Sequence, residues 1–461
     1  MTAADHRSYR DRAWTVQPDA EAALADLLAE ALAENPMLEA WSRRLLEVAG
    51  VRLRDIVDHV RLPESRIAPL RAAGWSHDPD VAGGDVWRNP SGLFPDLVAD
   101  GGTPELWFRV ENVDQFLVAN GLSAPVEGEL FGPFRKALVF PAPFAAGMLE
   151  RNGHVGHDWT VKVPAAQLRA ARVHLQAFRA RRRQFDTVEA GLDHTEALVA
   201  AAVADLGQHW ACDLWLRAER DYWMLRCPAG ARQKARQDAA GIGWSNIDHH
   251  TYDSSRAHYQ RTIRILEMLG FELREMLYAG DMAGWGSQVL EQPVLRSTIF
   301  ADVDLAPEEL DIDFAHQPLP ELARHRRAGI LSLLHGESIL ECGLNHVAAL
   351  YDQRALRAQL EAEGIAMMSP FSSFPFLYQE LTVGAPAPVD PARVDLLERD
   401  GHLTADEAEA IRLNGYIATH LENIERNQGY KGFNKPGIDG VLRALDPRAS
   451  VRLTASGIRS A

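Results

Sequence analysis

Between Gly243 and Pro293 the chain reads GWSNIDHHTYDSSRAHYQRTIRILEMLGFELRE and closes GWGSQVLEQP, and no other stretch limits the fold as tightly. Asn246 to Tyr252 is short and partly β-branched or aromatic, which predicts a strand. Ser254 and Ser255 suit a helix N-cap. From Arg256 to Leu269 the apolar Tyr259, Ile263, Leu266 and Leu269 recur at helical spacing, and Gly270 supplies the stop. Strands over Glu272 to Tyr278 and Ser287 to Glu291 follow, parted by a turn rich in glycine (Gly280, Gly284, Gly286). The result is one βαβββ module with His249 and His250 on its first strand. Side chains alternate along a strand, so one of this pair faces a cavity and the other the helix layer or solvent. The cavity face would carry His249 with Gln288 or Glu291.

A second unit of the same kind opens at Leu344. It has the strand LNHVAALY, a helix from Gln353 to Glu363, then Gly364 and strands through PFLYQELTV. The openings IDHHTY and LNHVAALY look like distant copies of one unit, although no repeat of fixed period occurs. The remainder is mixed. Helices are expected over 19–50, and a ligand-bearing segment over 51–121 with strands at Asp55 to Val60 and Glu105 to Val110 around a helix near Ser65 to Ala73. A helical layer follows over 160–240 (Ala165 to Phe185, Thr187 to Gly207, and around Trp215 to Ala240). The central module spans 244–305 and the second 340–430, ending in the strand YIATHLENIER after a proline break near Ala385 and a helical hairpin. We read 1–461 as one composite α+β domain.

Composition closes off several classes of function. The net charge of -16 with no long basic stripe argues against a nucleic-acid partner. The run RARRRQ from Arg179 to Gln184 is the one basic cluster, and in a helical stretch it reads as a solvated face. Three widely spaced cysteines, Cys212, Cys227 and Cys342, form no CxxC and imply neither a disulfide framework nor a zinc knuckle. No apolar run approaches the roughly 20 residues that span a bilayer, and no signal-peptide core opens the chain. A cytoplasmic protein, not membrane-bound, is the expectation. Its oligomeric state is not legible.

The chemistry available lies in the histidines and carboxylates. His59 in DIVDHVRL, His249, His346 in LNHV, Glu291, Glu380 and Glu425 in HLENIERNQG are each open to two readings, as a metal ligand or as an ordinary strand residue. No HExxH or similarly compact motif decides among them. Two imidazoles and one carboxylate on one face of an ion leave three open positions, the arrangement of non-haem Fe(II) that must take substrate and dioxygen together.

Several segments, in order, are similar to one family. They are ENPMLEAW with VDHVRLPESRIAPLRAAGW, then ELWFRVENV, then NIDHHT through GSQVLEQPV, then THLENIERNQG with GFNKPGIDGVL behind it. The central module resembles the vicinal-oxygen-chelate superfamily. More narrowly, the ordered segments resemble the 2-oxoadipate dioxygenase/decarboxylase family, also called hydroxyglutarate synthases. The resemblance implies βαβββ modules forming a half-open barrel surrounded by helices. It also implies Fe(II) as cofactor, held by His59, His249 and Glu425, and His249 is selected over His250 by its place two residues before Thr251. The implied reaction is oxidative decarboxylation of a 2-oxo acid by O2, with hydroxylation of the same fragment.

Two departures alter the substrate expectation. The family's arginine four residues after its first histidine is Pro63 here, so Arg61 or Arg66 would have to bind the substrate carboxylate from another direction, alongside Arg109 and Gln288. SPFSSFPFLYQELT brings aromatic and hydroxyl groups in place of cations. A less charged oxo or amino acid, or an aromatic metabolite, is therefore as good an expectation as 2-oxoadipate. Two other readings remain. One is a two-module metalloenzyme, a ring-cleaving dioxygenase or isomerase, with ligands from His249, Glu291, His346 and Glu380. The other is a small-molecule-binding protein without catalysis.

Overall fold

Two sheets organise the chain in the computed structural model, which describes residues 13–280 and 284–438. The ends of the composite span 1–461 and the last residues of GFNKPGIDGVL lie outside the described residues. The first sheet takes β1 (Val57–Leu62), β2 (Ser76–His77), β3 (Asp85–Arg88), β4 (Asp96–Ala99), β5 (Glu105–Arg109), β6 (Phe134–Phe140) and β7 (Ala145–Arg151), in the order β2-β3-β4-β1-β5-β7-β6. The second takes β8 (Ile247–Ser254), β9 (Glu272–Tyr278), β10 (Trp285–Gln292), β11 (Ser297–Asp304), β12 (His346–Leu350), β13 (Ser372–Phe374) and β14 (Leu377–Leu381). A small ribbon of β15 (Pro386–Ala387) and β16 (Tyr416–Ile417) intervenes before β17 (His420–Arg426) closes the second sheet. Its order is β13-β14-β17-β12-β8-β11-β10-β9, a curled half-barrel of two side-by-side modules.

The two sheets are wired alike. In the first, β1 runs parallel to β4 and antiparallel to β5, β5 runs parallel to β7, and β7 pairs antiparallel with β6. In the second, β8 runs parallel to β11 and antiparallel to β12, β12 runs parallel to β17, and β17 pairs antiparallel with β14. Even the irregularity is repeated. The β1–β5 register skips Asp58, between Val57 and His59, and the β8–β12 register skips Asp248, between Ile247 and His249. A bulge re-aims a side chain, and here it turns each Asp toward the ring of the His that follows.

The central module matches the strand and helix spacing, with one shift. The helix begins at Tyr259 behind His258, and neither serine caps it; Ser255 Oγ instead meets His258 Nδ1 at 3.0 Å. That helix buries Tyr259, Ile263, Ile265 and Leu266 against the sheet, each worth roughly 1.5–3 kcal/mol of transfer free energy. In the first segment the helix expected near Ser65 is one α-turn, Glu64–Ile67, continued as a 3-10 helix, Ala68–Ala73. Pro69 lacks the N–H that a longer α-helix would need there.

The helical layer holds Ala165–Arg179, Val188–Leu206, Gln208–Met224 and Pro228–Ala239. The last two were expected as one helix around Trp215 to Ala240, and Pro228 starts a new one. The RARRRQ cluster is not a solvated face. Arg181 is buried and stacks on Trp215, and it shares Glu219 with Arg183 at 2.9 and 2.6 Å. A buried carboxylate needs such partners. No helix among the described residues is long and apolar enough to cross a membrane.

Candidate metal centre

On β8 the odd and even positions face different neighbours. Tyr252 and His250 turn to the helix Gln208–Met224, with Trp215 Nε1 donating to the Tyr252 hydroxyl at 3.2 Å and Arg220 Nη1 3.3 Å from His250 Nε2. His249 turns the other way. There it meets His346, which opens β12, and Glu422, which sits mid-strand on β17 beside Ala348. His249 Nε2 lies 3.3 Å from His346 Nε2 and 3.3 Å from Glu422 Oε2, and His346 Nε2 lies 3.1 Å from the same oxygen. Three donors spaced this way fit one face of a divalent ion. Bonds of about 2.0–2.2 Å would subtend angles of about 90–110°.

The far side of each ligand is held. Asp248 Oδ2 stands 2.8 Å from His249 Nδ1, and Asn345 Oδ1 stands 3.2 Å from His346 Nδ1. Each fixes the tautomer that presents an Nε2 lone pair to the cavity. Arg426, four residues beyond Glu422, clamps Asp248 through Nε at 2.5 Å and Nη2 at 3.1 Å. Gln379 Nε2 donates to Glu422 Oε1 at 2.8 Å, which leaves Oε2 to the histidines. Burial disfavours a proton on His249, but the carboxylates of Glu422 and Asp248 prevail and raise it to about 9. Burial lowers His346, whereas the charge on His249 and its hydrogen bond hold Glu422 well below the usual carboxylate range despite burial.

Around these atoms the cavity is aromatic, with Trp285, Phe300, Phe371 and Phe433 among its walls. The His249 ring packs 4.7 Å from Phe300 and 5.4 Å from Phe433. Its polar lining includes Arg327, Asn345 and Asp302. Burial, with Asp253 close by, pushes Asp302 well above the ordinary carboxylate range.

The equivalent place in the first sheet is built differently. His59 corresponds to His249 and Asp58 to Asp248, and Arg151, four residues after Gly147, takes the place of Arg426. Asp58 accepts from Arg151 at 2.7 and 2.8 Å and from Arg109 at 3.0 Å, while its Oδ1 lies 2.9 Å from His59 Nδ1. By register, Glu105 stands where His346 would be and Gly147 where Glu422 would be. Trp107, opposite Gly147, fills the space, stacked over His59 with centroids 6.1 Å apart and planes at 3°. A Cβ on Gly147 would lie 2.5 Å from that indole. Asp58, His59 and His157 are near neighbours, but Asp58 is saturated and His157 Nε2 is engaged by Asp96 at 3.2 Å. His59 Nε2 is left without a hydrogen-bond partner, but no free carboxylate oxygen faces it as Glu422 Oε2 faces His249.

The structure therefore does not bring His59, His249 and Glu425 together. Glu425 is on the opposite face of β17 from Glu422, bound to Arg52 Nη1 at 3.0 Å and capping Gln353 N at 2.9 Å. Glu380 receives Asn423 Nδ2 and the Tyr378 hydroxyl, both at 2.8 Å, and Arg357. Glu291 pairs with Lys431 at 3.3 Å. Arg61 is committed to Asp100, Arg66 to Glu30 and Arg109 to Asp58, all away from this cavity. Gln288 spends its amide on the carbonyls of Glu275 and Val289 within the sheet. Of the residues singled out from sequence, His249 and His346 meet, as the two-module reading expected, and the carboxylate that joins them is Glu422. Its signal was present in THLENIER, where the two glutamates stand three positions apart, with two residues between them, so that only one can face inward.

No family model and no curated protein matches the chain. Among solved structures it is similar to hydroxyglutarate synthase from Oryza sativa in complex with 2-oxoadipate (13% identity over 51% of this chain and 92% of that one, TM-score 0.35). It is also similar to a mutant 4-hydroxymandelate synthase from Streptomyces coelicolor (13%, 87% and 99%, TM-score 0.28). A third is the Mn(II)-bound glyoxalase from Novosphingobium aromaticivorans (11%, 80% and 82%, TM-score 0.19).

Proposed function

We propose that this protein is a non-haem Fe(II)-dependent oxygenase acting on a small carboxylate-bearing metabolite with an apolar or aromatic body. The supporting observation is the cluster His249, His346 and Glu422, with donor atoms 3.1–3.3 Å apart and every distal atom anchored. Fe(II) held there would leave positions for a 2-oxo acid and dioxygen and would supply oxidative decarboxylation with hydroxylation. His249 and His346 present neutral nitrogen lone pairs once His249 gives up its proton, and Glu422 brings the single negative charge. Arg327, which also pairs with Asp253 at 3.3 Å, is the cation in the lining that would meet a carboxylate. The four aromatic walls take the substrate's body and exclude water.

Reconstitution without oxygen using Fe(II), Mn(II) or Zn(II), followed by oxygen-uptake assays, tests this reading. The panel is aromatic 2-oxo acids, aliphatic ones including 2-oxoadipate, and the matching amino acids. Uptake with Fe(II) alone, matched by release of CO2 and abolished in Glu422→Ala, is expected. A second reading is a vicinal-oxygen-chelate isomerase or ring-cleaving enzyme, favoured by ligands that come from the first strands of both modules. Metal-dependent turnover without decarboxylation would select it, and metal binding with no turnover would select a binding protein.

A further inference from the structure

On the other face of β8, behind His250, lies a second cavity of about 110 Å3 bounded by the first sheet, the helix Gln208–Met224 and the turn before β11. Five arginines line it: Arg109, Arg151, Arg217, Arg220 and Arg296. In a chain of net charge -16 such a concentration of cations calls for a reason. Arg151 and Arg109 are neutralised by Asp58, Arg296 by Asp96 and Arg217 by Asp213. Arg220 is different. It is 9% exposed, forms no ion pair within 4.0 Å among the described residues, and places Nη1 3.3 Å from the His250 ring nitrogen Nε2. Its Nε has no hydrogen-bond partner, and neither do Ser245 Oγ and Ser297 Oγ on the same wall.

Two carboxylates also line this space, but neither satisfies that guanidinium directly. Glu111 is taken by Lys234 at 3.1 Å and by the Trp244 N–H at 3.2 Å, and Asp213 Oδ2 is ion-paired with Arg217 at 3.0 Å though it accepts no hydrogen bond. Buried donors left unpaired cost about 1–3 kcal/mol each, more when charged, so several around one void mark a place for acceptors from outside. There is also a way in. Arg109, Ser245, Ile247 and Arg296 line both this cavity and a neighbouring cleft of about 550 Å3 between the sheets.

We propose that this cavity binds a small oxyanion, a carboxylate or inorganic phosphate, gripped by the Arg220 guanidinium and the hydroxyls of Ser245 and Ser297. The shared chemistry is two or more oxygen acceptors around one negative charge, which a guanidinium recognises by paired N–H bonds. This site is separate from the His249 cluster and does not depend on the oxygenase reading.

Calorimetric titration of the full-length protein at constant ionic strength with phosphate, acetate and succinate, each against a chloride control, tests it. One equivalent of a phosphate or a carboxylate is expected to bind, and the arm that responds identifies which. Arg220→Gln should weaken binding about tenfold or more, and so should the double variant S245A/S297A, which replaces two half-buried side chains and keeps the test decisive if the arginine variant fails to fold. His346→Ala should leave binding unchanged. Heats no larger than those of chloride would mean the cavity holds water only and would overturn the proposal. Binding lost in His346→Ala but kept in S245A/S297A would overturn it as well, by placing the anion at the other cluster.

Discussion

In the first sheet Asp58 lies between Arg151 and His59, and in the second Asp248 lies between Arg426 and His249, on strands paired in the same order and skipped at the same bulge. The two histidines nonetheless have opposite characters. Burial, with His157 beside it, drives His59 down to about 3, while His249 rises to about 9. The difference lies on the neighbouring strands. Beside His249 the chain places small Ala348 next to Glu422, and beside His59 it places Trp107 next to Gly147. Volume and charge have changed places between adjacent strands. An orienting Asp–Arg pair is thus not enough to bring two imidazoles and a carboxylate together; the space for the carboxylate must also be left open.

The severest way to break this comparison is to remove ligands. His249→Ala, His346→Ala and Glu422→Ala should each take Fe(II), bound without oxygen, from about one equivalent to almost none by metal analysis, and His59→Ala should keep the full equivalent. Next come the two aspartates. Asp58→Ala strands Arg151 and should cost roughly 3–5 kcal/mol in urea unfolding, with metal affinity unchanged. Asp248→Ala should carry a similar stability cost and also weaken metal binding by about 10–100-fold, because the imidazole loses its anchor.

Smaller effects sharpen the exchange itself. Gly147→Ala forces a methyl against the indole and should cost about 1–3 kcal/mol, a penalty that vanishes when measured in a Trp107→Ala background. The least is a pH effect. An unfolded histidine binds a proton near 6.5 and folded His59 only near 3, so its contribution is present above 6.5 and is lost as pH falls toward 3. His59→Phe should therefore lose less stability than the parent between pH 7 and 4.5, as followed by denaturation midpoints.

How much of this was written in the residues differs by region. The central module was legible because helix Tyr259–Met268 keeps its apolar face in register and glycines punctuate the turns. The kinship of IDHHTY and LNHVAALY, and hence the pairing of His249 with His346, was legible too. Glu422 was not, because choosing between it and Glu425 requires the register Ala348↔Glu422, a contact between residues far apart in sequence. His59 misled for a physical reason: VDH and IDH build the same bulge and the same Asp-anchored ring, and what differs is Trp107 and Gly147, which the local motif does not contain. The basic run at Arg179 misled likewise, since its counter-ion, Glu219, sits on another helix.

The clamp from Arg426 to Asp248 joins positions 178 residues apart. During synthesis His249 emerges long before Glu422 and Arg426, the side chains that steady it. A chain growing through β8 and β12 thus shows isolated imidazoles, and the three-donor cluster forms only once β17 has paired with β12.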